Sequence, residues 1–220
     1  PAALIHSIKS ADSAESLAEI RKEMMPLIEQ IFEEEGQAES LTRLITEIHD
    51  QITCRLIELG LGEMEKKGRG GTPSEFSWMG MGSEGRREQT VITDQDNALI
   101  FKDPGPERLS QTRQWFLDFA EKVVSGLEIC GFPRCRGNTM AINPELCLTE
   151  EEWLKLFGGI LQKPTPQALL KAGIYFDFRL KDLKRTKEEL FAGDYRMKNI
   201  YELSNSIDSL NYSKSKHSNI

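Results

Sequence analysis

A glycine-rich turn set between two short apolar strands is the feature that most restricts this chain. Phe76-Ser77-Trp78-Met79 reads as a strand and runs into Gly80-Met81-Gly82-Ser83-Glu84-Gly85-Arg86-Arg87-Glu88. Asn97-Ala98-Leu99-Ile100-Phe101 reads as a second strand, closed by Asp103-Pro104-Gly105-Pro106. Directly ahead of that strand stands Asp94-Gln95-Asp96. Side chains two apart on a strand share a face, roughly 6.5–7 Å apart at the backbone. Two carboxylates converging from there can share a pair of magnesium ions about 3.5–4 Å apart. Magnesium takes oxygen ligands and keeps part of its shell for water and substrate phosphates, which leaves room for a nucleoside triphosphate.

Alone, Asp-x-Asp would read as an exposed turn. The glycine loop upstream changes that. Amides freed by glycine approach phosphate oxygens closely, and a helix starting there adds its positive end. Ser83 can donate a further hydrogen bond. Arg86 and Arg87 lie within reach of the loop and can neutralise charge during phosphoryl transfer. Glu88 reads as an orienting ion-pair partner for an arginine.

The rest of the chain is mainly helical. Asp12 or Ser13 can cap a helix carrying Leu17, Ile20, Met24, Leu27, Ile28 and Ile31, with a kink expected near Met25 because of Pro26 and an end at Gly36. A second helix carries Leu41, Leu44, Ile45, Ile48, Ile52, Leu56 and Leu59 and is expected to stop near Gly60 and Gly62. The pair predicts an antiparallel hairpin over 1–62, a packing or partner-docking element through which two copies can meet as a homodimer. His49 reads as a surface or core residue rather than a ligand. Lys66-Lys67-Gly68-Arg69-Gly70-Gly71 marks a flexible linker.

Pro106 opens a helix that Gly131 ends. Thr149 and Glu152 form a capping box for another, and Thr165-Pro166 starts a shorter one. Ile174–Arg179 is a third strand candidate, and the Ser, Asn and Lys composition from Ser204 predicts a disordered tail. The fold class expected is α+β: a hairpin, a small mixed sheet over 63–130, a helical part over 131–203, and the tail over 204–220.

Composition sets limits on partners. A net charge of −7 argues against a broad nucleic-acid surface, which needs clustered Lys and Arg, but permits one nucleotide held locally. No apolar run is long enough to cross a bilayer. The start, Pro1-Ala2-Ala3-Leu4, is unlike a signal peptide and lacks Met, so the chain reads as a segment of a longer protein. Cys54, Cys130, Cys135 and Cys147 show no CxxC pair and read as reduced thiols in a cytoplasmic protein, a disulfide or metal role for Cys130 and Cys135 being the alternative.

A third carboxylate would complete the acidic cluster. Asp177, read as mid-strand among Tyr175, Phe176 and Phe178, is the candidate, because a carboxylate buried there needs a cation or donors. A salt bridge with Arg179, on the same strand face, is the equal alternative.

Gly82-Ser83-x-Gly85-Arg86-x-Glu88 followed by Thr93-Asp94-Gln95-Asp96-Asn97-Ala98-Leu99-Ile100 resembles the signature of a bacterial nucleotidyltransferase family. That family is similar to the N-terminal domain of protein-PII uridylyltransferase, within the DNA polymerase beta superfamily. The likeness is dense over Trp78–Phe101 and thinner at Asn138-Thr139-Met140-Ala141 and Phe176-Asp177-Phe178-Arg179. It implies that Gly82 and Ser83 bind phosphate, that Asp94 and Asp96 bind both magnesium ions, and that Asp177 supports one. It further implies transfer from a nucleoside triphosphate to a protein hydroxyl, in signalling proteins that often carry CBS and cyclic-nucleotide-binding domains ahead of this region. The chain after Arg179 departs from the family's expected glycine-aspartate and long closing helix.

Two rivals remain. Gly80-x-Gly82-x-x-Gly85 with Asp103 is formally a dinucleotide-binding outline, but Arg86–Thr93 is too polar and short for its helix. A non-catalytic module that senses nucleotide would use the same residues. An EF-hand reading of Asp94 and Asp96 lacks the required glycine and glutamate.

Overall fold

The computed structural model describes residues 2–35, 38–163 and 165–181. The expected end at Gly36 and the expected tail from Ser204 lie outside them. The chain opens with α1 (Ala2–Ser10), α2 (Ala14–Glu35) and α3 (Ala38–Lys66). Ser13 caps α2: its hydroxyl accepts from the Ser16 amide at 3.2 Å and the Ser16 hydroxyl accepts from the Ser13 amide at 3.4 Å. Pro26 lies inside α2 with its ring exposed. α1 has no counterpart in the sequence reading.

Contrary to the sequence expectation, α3 does not stop at Gly60 and Gly62 but runs on to Lys66. Gly60 is spent on packing rather than termination. A Cβ there would sit 3.2 Å from the Phe119 ring, so its absence lets α3 lie against α5 (Pro106–Ile129). The stretch read as a linker is likewise tied down. The Trp115 indole donates to the Arg69 carbonyl at 3.0 Å, and the Arg69 guanidinium pairs with Asp118.

Between them lie β1 (Phe76–Gly80), a one-and-a-half-turn helix α4 (Gly82–Arg86) and β2 (Asn97–Phe101). β3 (Cys147–Thr149) follows a 3-10 turn, then come α6 (Glu150–Gln162), α7 (Pro166–Tyr175) and β4 (Arg179–Lys181). The sheet order is β3-β2-β1-β4. β1 pairs antiparallel with β2 (Trp78 opposite Leu99) and with β4 (Trp78 opposite Lys181), while β2 pairs parallel with β3.

Side chains alternate across these strands, and the alternation sorts the core into two layers. Trp78, Leu99 and Phe101 face the layer built by α1, α2, α3 and α5. Met79, Met81, Ala98 and Ile100 face Trp153, Phe157, Tyr175 and Phe176 of the α6–α7 side. Each fully buried aromatic contributes roughly 2–3 kcal/mol. The N-terminal helices share their core with the sheet, so the hairpin is part of the support beneath β1 and β2.

α5 starts as the sequence predicts. The Gly105 amide donates to Asp103 Oδ1 at 2.8 Å, Pro106 takes the first turn, and the chain leaves through Gly131 at φ +87°. The Thr149–Glu152 capping box of α6 is present, and Arg113 donates to both Glu152 oxygens at 2.7 and 2.9 Å. The third strand candidate is corrected. Ile174 and Tyr175 close α7, Asp177 sits in a bend, and strand structure begins only at Arg179. Apolar content across Ile174–Phe178 is equally suited to a helix end packed on the sheet, and that is what the α7 contacts select.

Candidate active site

The site is built where β1 ends and β2 begins. Met81 leaves β1 extended, and its amide donates to the Asp96 carbonyl at 2.8 Å, so the two segments meet at the mouth of the strand pair. Gly82 then turns at φ +54°, a conformation that suits glycine. A Cβ on Gly82 would lie 3.0 Å from Asp96 Oδ2. The phosphate-loop candidate and the acidic candidate are therefore in direct contact.

The amides of Glu84 and Gly85 donate to the Met81 carbonyl at 3.1 and 3.2 Å. Those of Gly82 and Ser83 stand ahead of them, in the first turn, where helix geometry supplies no intrahelical acceptor. Ser83 is partly exposed. Arg87 closes the turn in the left-handed region at φ 60°, and the Glu88 amide returns to the Ser83 carbonyl at 2.9 Å.

The acidic segment obeys strand parity even before β2 formally starts. Asp94 is exposed and Asp96 half-buried, while Gln95 and Asn97 are buried on the opposite side. The Gln95 amide group donates to the Val124 and Phe132 carbonyls at 3.1 and 2.8 Å. Asn97 accepts from the Ala141 amide at 2.8 Å. These two residues anchor the segment to the end of α5 and to the loop after it. Sequence reading passed over both, although period-two alternation from Ala98 and Leu99 would have placed them.

Asp96 Oδ1 is buried and has no hydrogen-bond partner among the described residues. Burial, opposed in part by a hydrogen bond from the Cys135 thiol, and the neighbouring Asp94 charge raise the Asp96 carboxyl above its ordinary range. Cys135, read as a plain thiol, thus borders the acids. Tyr175 borders them too: burial, Glu145 and Asp96 raise its hydroxyl.

Asp177 is brought to the loop but engages Arg86, not Arg179. Arg86 also donates to Glu88 at 2.8 Å, which confirms Glu88 as its ion-pair partner. Gly85 makes this approach possible, since a Cβ there would lie 1.9 Å from the Asp177 carbonyl oxygen. Arg86, Arg87 and Glu88 form one wall of a cleft of about 750 Å³, whose other wall is the Thr42–Asp50 face of α3.

A second ionic cluster lies behind the loop. Arg179 donates to Asp50 at 2.7 and 2.9 Å and to the Glu84 carbonyl at 3.1 Å. His49 is buried here, consistent with its reading as a core residue. His49, Asp50 and Glu84 offer ligand-type atoms within 4.8 Å of one another, the spacing of a metal site. That place is filled by the chain's own cation: Lys181 Nζ lies 3.0 Å from Asp50 Oδ1 and 3.2 Å from His49 Nδ1, and pairs with Glu84. Burial pushes the Lys181 ammonium down, and the Glu84 and Asp50 carboxylates more than offset it. Burial, then Lys181, holds His49 well below its usual range, hence neutral.

The Asp94–Asp96 pair is different. Its ligand atoms are all oxygen, Asp96 Oδ1 has no partner among the described residues, and no lysine or arginine among them is bonded to either carboxylate, a set that fits a hard divalent cation such as magnesium. No helix among the described residues is long and apolar enough to cross a membrane. The four cysteines are unpaired.

No curated protein matches the chain. A family model does match, over residues 22–167, about two thirds of the length, taking in the glycine turn, both aspartates and the strands that carry them, while Asp177 and Lys181 fall beyond it. The chain belongs to the family described as Putative nucleotidyltransferase DUF294.

Proposed function

We propose that this chain moves a nucleoside monophosphate from a nucleoside triphosphate to an acceptor hydroxyl on a protein, as protein-PII uridylyltransferase does, in a signalling context. The observation that carries the reading is the contact between Gly82 and Asp96, with Asp96 Oδ1 buried and unpartnered beside Asp94. That arrangement gives triphosphate oxygens and metal-binding carboxylates a common meeting point.

Asp94 and Asp96 would hold the metal ions, with Asp177 as the third carboxylate. Magnesium, when bound, supplies charge stabilisation for the attacking and leaving oxygens. The Gly82 and Ser83 amides and the Ser83 hydroxyl receive phosphate oxygens. Arg86 and Arg87 counter the charge that builds during transfer. An incoming phosphate would compete with Asp177 for Arg86, leaving the Asp177 carboxylate free. The acceptor oxygen bonds to the α-phosphorus, the bond to the bridging oxygen breaks, and pyrophosphate leaves. The cleft beside Arg86 and Arg87 falls within the 300–1,000 Å³ usual for ligand pockets.

The test is calorimetric titration of UTP, ATP, GTP and CTP, with and without magnesium, on the native chain and on Asp94→Asn/Asp96→Asn. Magnesium-dependent triphosphate binding that the double variant loses, with label transferred to a candidate protein, is expected. Binding without any transfer would turn the reading into a nucleotide sensor. Magnesium-independent binding of a nicotinamide dinucleotide would replace both with a dinucleotide site.

A further inference from the structure

Glu84 and Lys181 are the carboxylate and the ammonium most withdrawn from water among the described residues, their side chains 2% and 1% exposed. Neither takes part in the proposed transfer. Replacing a buried ion pair with well-packed apolar side chains is often neutral or stabilising, so such a pair is weak evidence of a need for stability. What it does provide is a directed, geometry-demanding link, and here the link has the phosphate loop at one end.

Glu84 belongs to that loop, one residue after Ser83. It is held at both ends: its carboxylate by Lys181 of β4, its carbonyl by Arg179, 3.1 Å away. Both cations then bind Asp50 of α3, Arg179 at 2.7 and 2.9 Å and Lys181 at 3.0 Å. Lys181 also donates to Thr53 on the next turn of α3 at 3.3 Å. The loop has little room to settle elsewhere. A Cβ on Gly80 would lie 2.6 Å from Glu84 Oε1, and one on Gly85 would strike the Asp177 carbonyl. The loop is therefore gripped between α3 and the Asp177–Lys181 segment, with balanced charge: Asp50 and Glu84 against Arg179 and Lys181.

We propose that Asp50 and Lys181 are positioning residues for the Gly82–Arg86 loop, making α3 the brace that sets the phosphate-binding geometry at Gly82 and Ser83. The proposal rests on the transferase reading for its functional meaning. A shift of about 1 Å in a reacting group can cost about a hundredfold in rate, so a brace of this kind has a measurable consequence.

The experiment compares the native chain with Asp50→Asn, Lys181→Met and the double variant Glu84→Gln/Lys181→Met. The double variant removes both halves of the buried pair and leaves Asp50 balanced by Arg179, so it strains the fold less than Lys181→Met alone. Two readouts are taken: amide hydrogen exchange at Ser83–Glu88, and kcat and KM for the nucleotide. Exchange at those amides faster by about tenfold, with β2 amides unchanged, and a kcat/KM lower by roughly 30–100-fold are expected in the double variant. Native exchange at Ser83–Glu88 together with native KM in a folded double variant would overturn the proposal and leave the cluster a matter of stability alone. If the native chain transfers no nucleotide, the transferase reading falls, while exchange in the same proteins still decides whether the loop is braced.

Discussion

Two acidic clusters lie on either side of the Gly82–Arg86 turn, and they are resolved in opposite ways. Behind the turn, Asp50 and Glu84 face Lys181 and Arg179, and every charge is met by a charge from the chain itself. In front of it, Asp94 and Asp96 stand together, and among the described residues no lysine or arginine is bonded to either; a buried oxygen without a hydrogen-bond partner is found on both sides, Asp96 Oδ1 and Glu84 Oε2. Arg86, whose charge acts on Asp96, is occupied by Glu88 and Asp177. A carboxylate whose counter-charge the fold supplies is held in place by it, whereas one without a cation of its own can accept a ligand's.

The contrast is broken most directly at Asp96. Asp96→Asn is expected to lower nucleotide transfer a thousandfold or more, about 4 kcal/mol. Its thermal midpoint should stay level or rise, because burial and Asp94 already disfavour the Asp96 charge. Initial-rate assays beside a thermal melt check both halves. A variant that lost stability with its activity would place Asp96 with the structural cluster instead.

Lys181→Met should do the reverse to stability. It leaves Asp50 and Glu84 buried with one cation fewer, and removal of one partner from such a pair costs about 3–5 kcal/mol. Urea unfolding measures it. A loss under about 1 kcal/mol would mean that the cluster is more hydrated than its burial implies.

Acid sharpens the same comparison. Burial works against the Asp50 charge, but Lys181 and Arg179 prevail and hold its carboxyl at about 2 rather than the ordinary 3.8. A depressed carboxylate stabilises the fold above its unfolded pKa and loses that contribution as pH falls through the folded one. About 2 kcal/mol should therefore disappear between roughly pH 4 and pH 2. Asp50→Asn should lack that part of the slope in unfolding measured across the range. The smallest effect expected is at the loop: Ser83→Ala should weaken triphosphate binding about fivefold, near 1 kcal/mol, without moving stability. Calorimetry on the folded variant reads it.

Much of this was legible before any coordinates. The Gly82 turn, Asp94 and Asp96, both long strands, the Gly105–Pro106 helix start and the Thr149–Glu152 capping box depend on local chemistry: which backbone angles glycine allows, which hydroxyl caps which amide, which side chains alternate. Such rules operate over a few residues and are written in the order of the chain. The partners across the fold are not. Gly60 and Gly62 look like a helix end, yet Gly60 lies inside α3 because Phe119, 59 positions away, needs the space. Asp177 looked like a strand residue paired with Arg179. The packing of α7 places it in a bend on Arg86, and Arg179 goes to Asp50, 129 positions away. Lys181 lies at the edge of the described chain, and neither its sequence neighbours nor its spacing marks it as a buried cation. By itself, then, the sequence determined where a glycine turn and a pair of carboxylates fall close together, since that follows from local chemistry in a short stretch. Only the tertiary structure decided which charges are neutralised internally and which stay open to a ligand, because desolvation and pairing depend on what the fold brings from elsewhere in the chain.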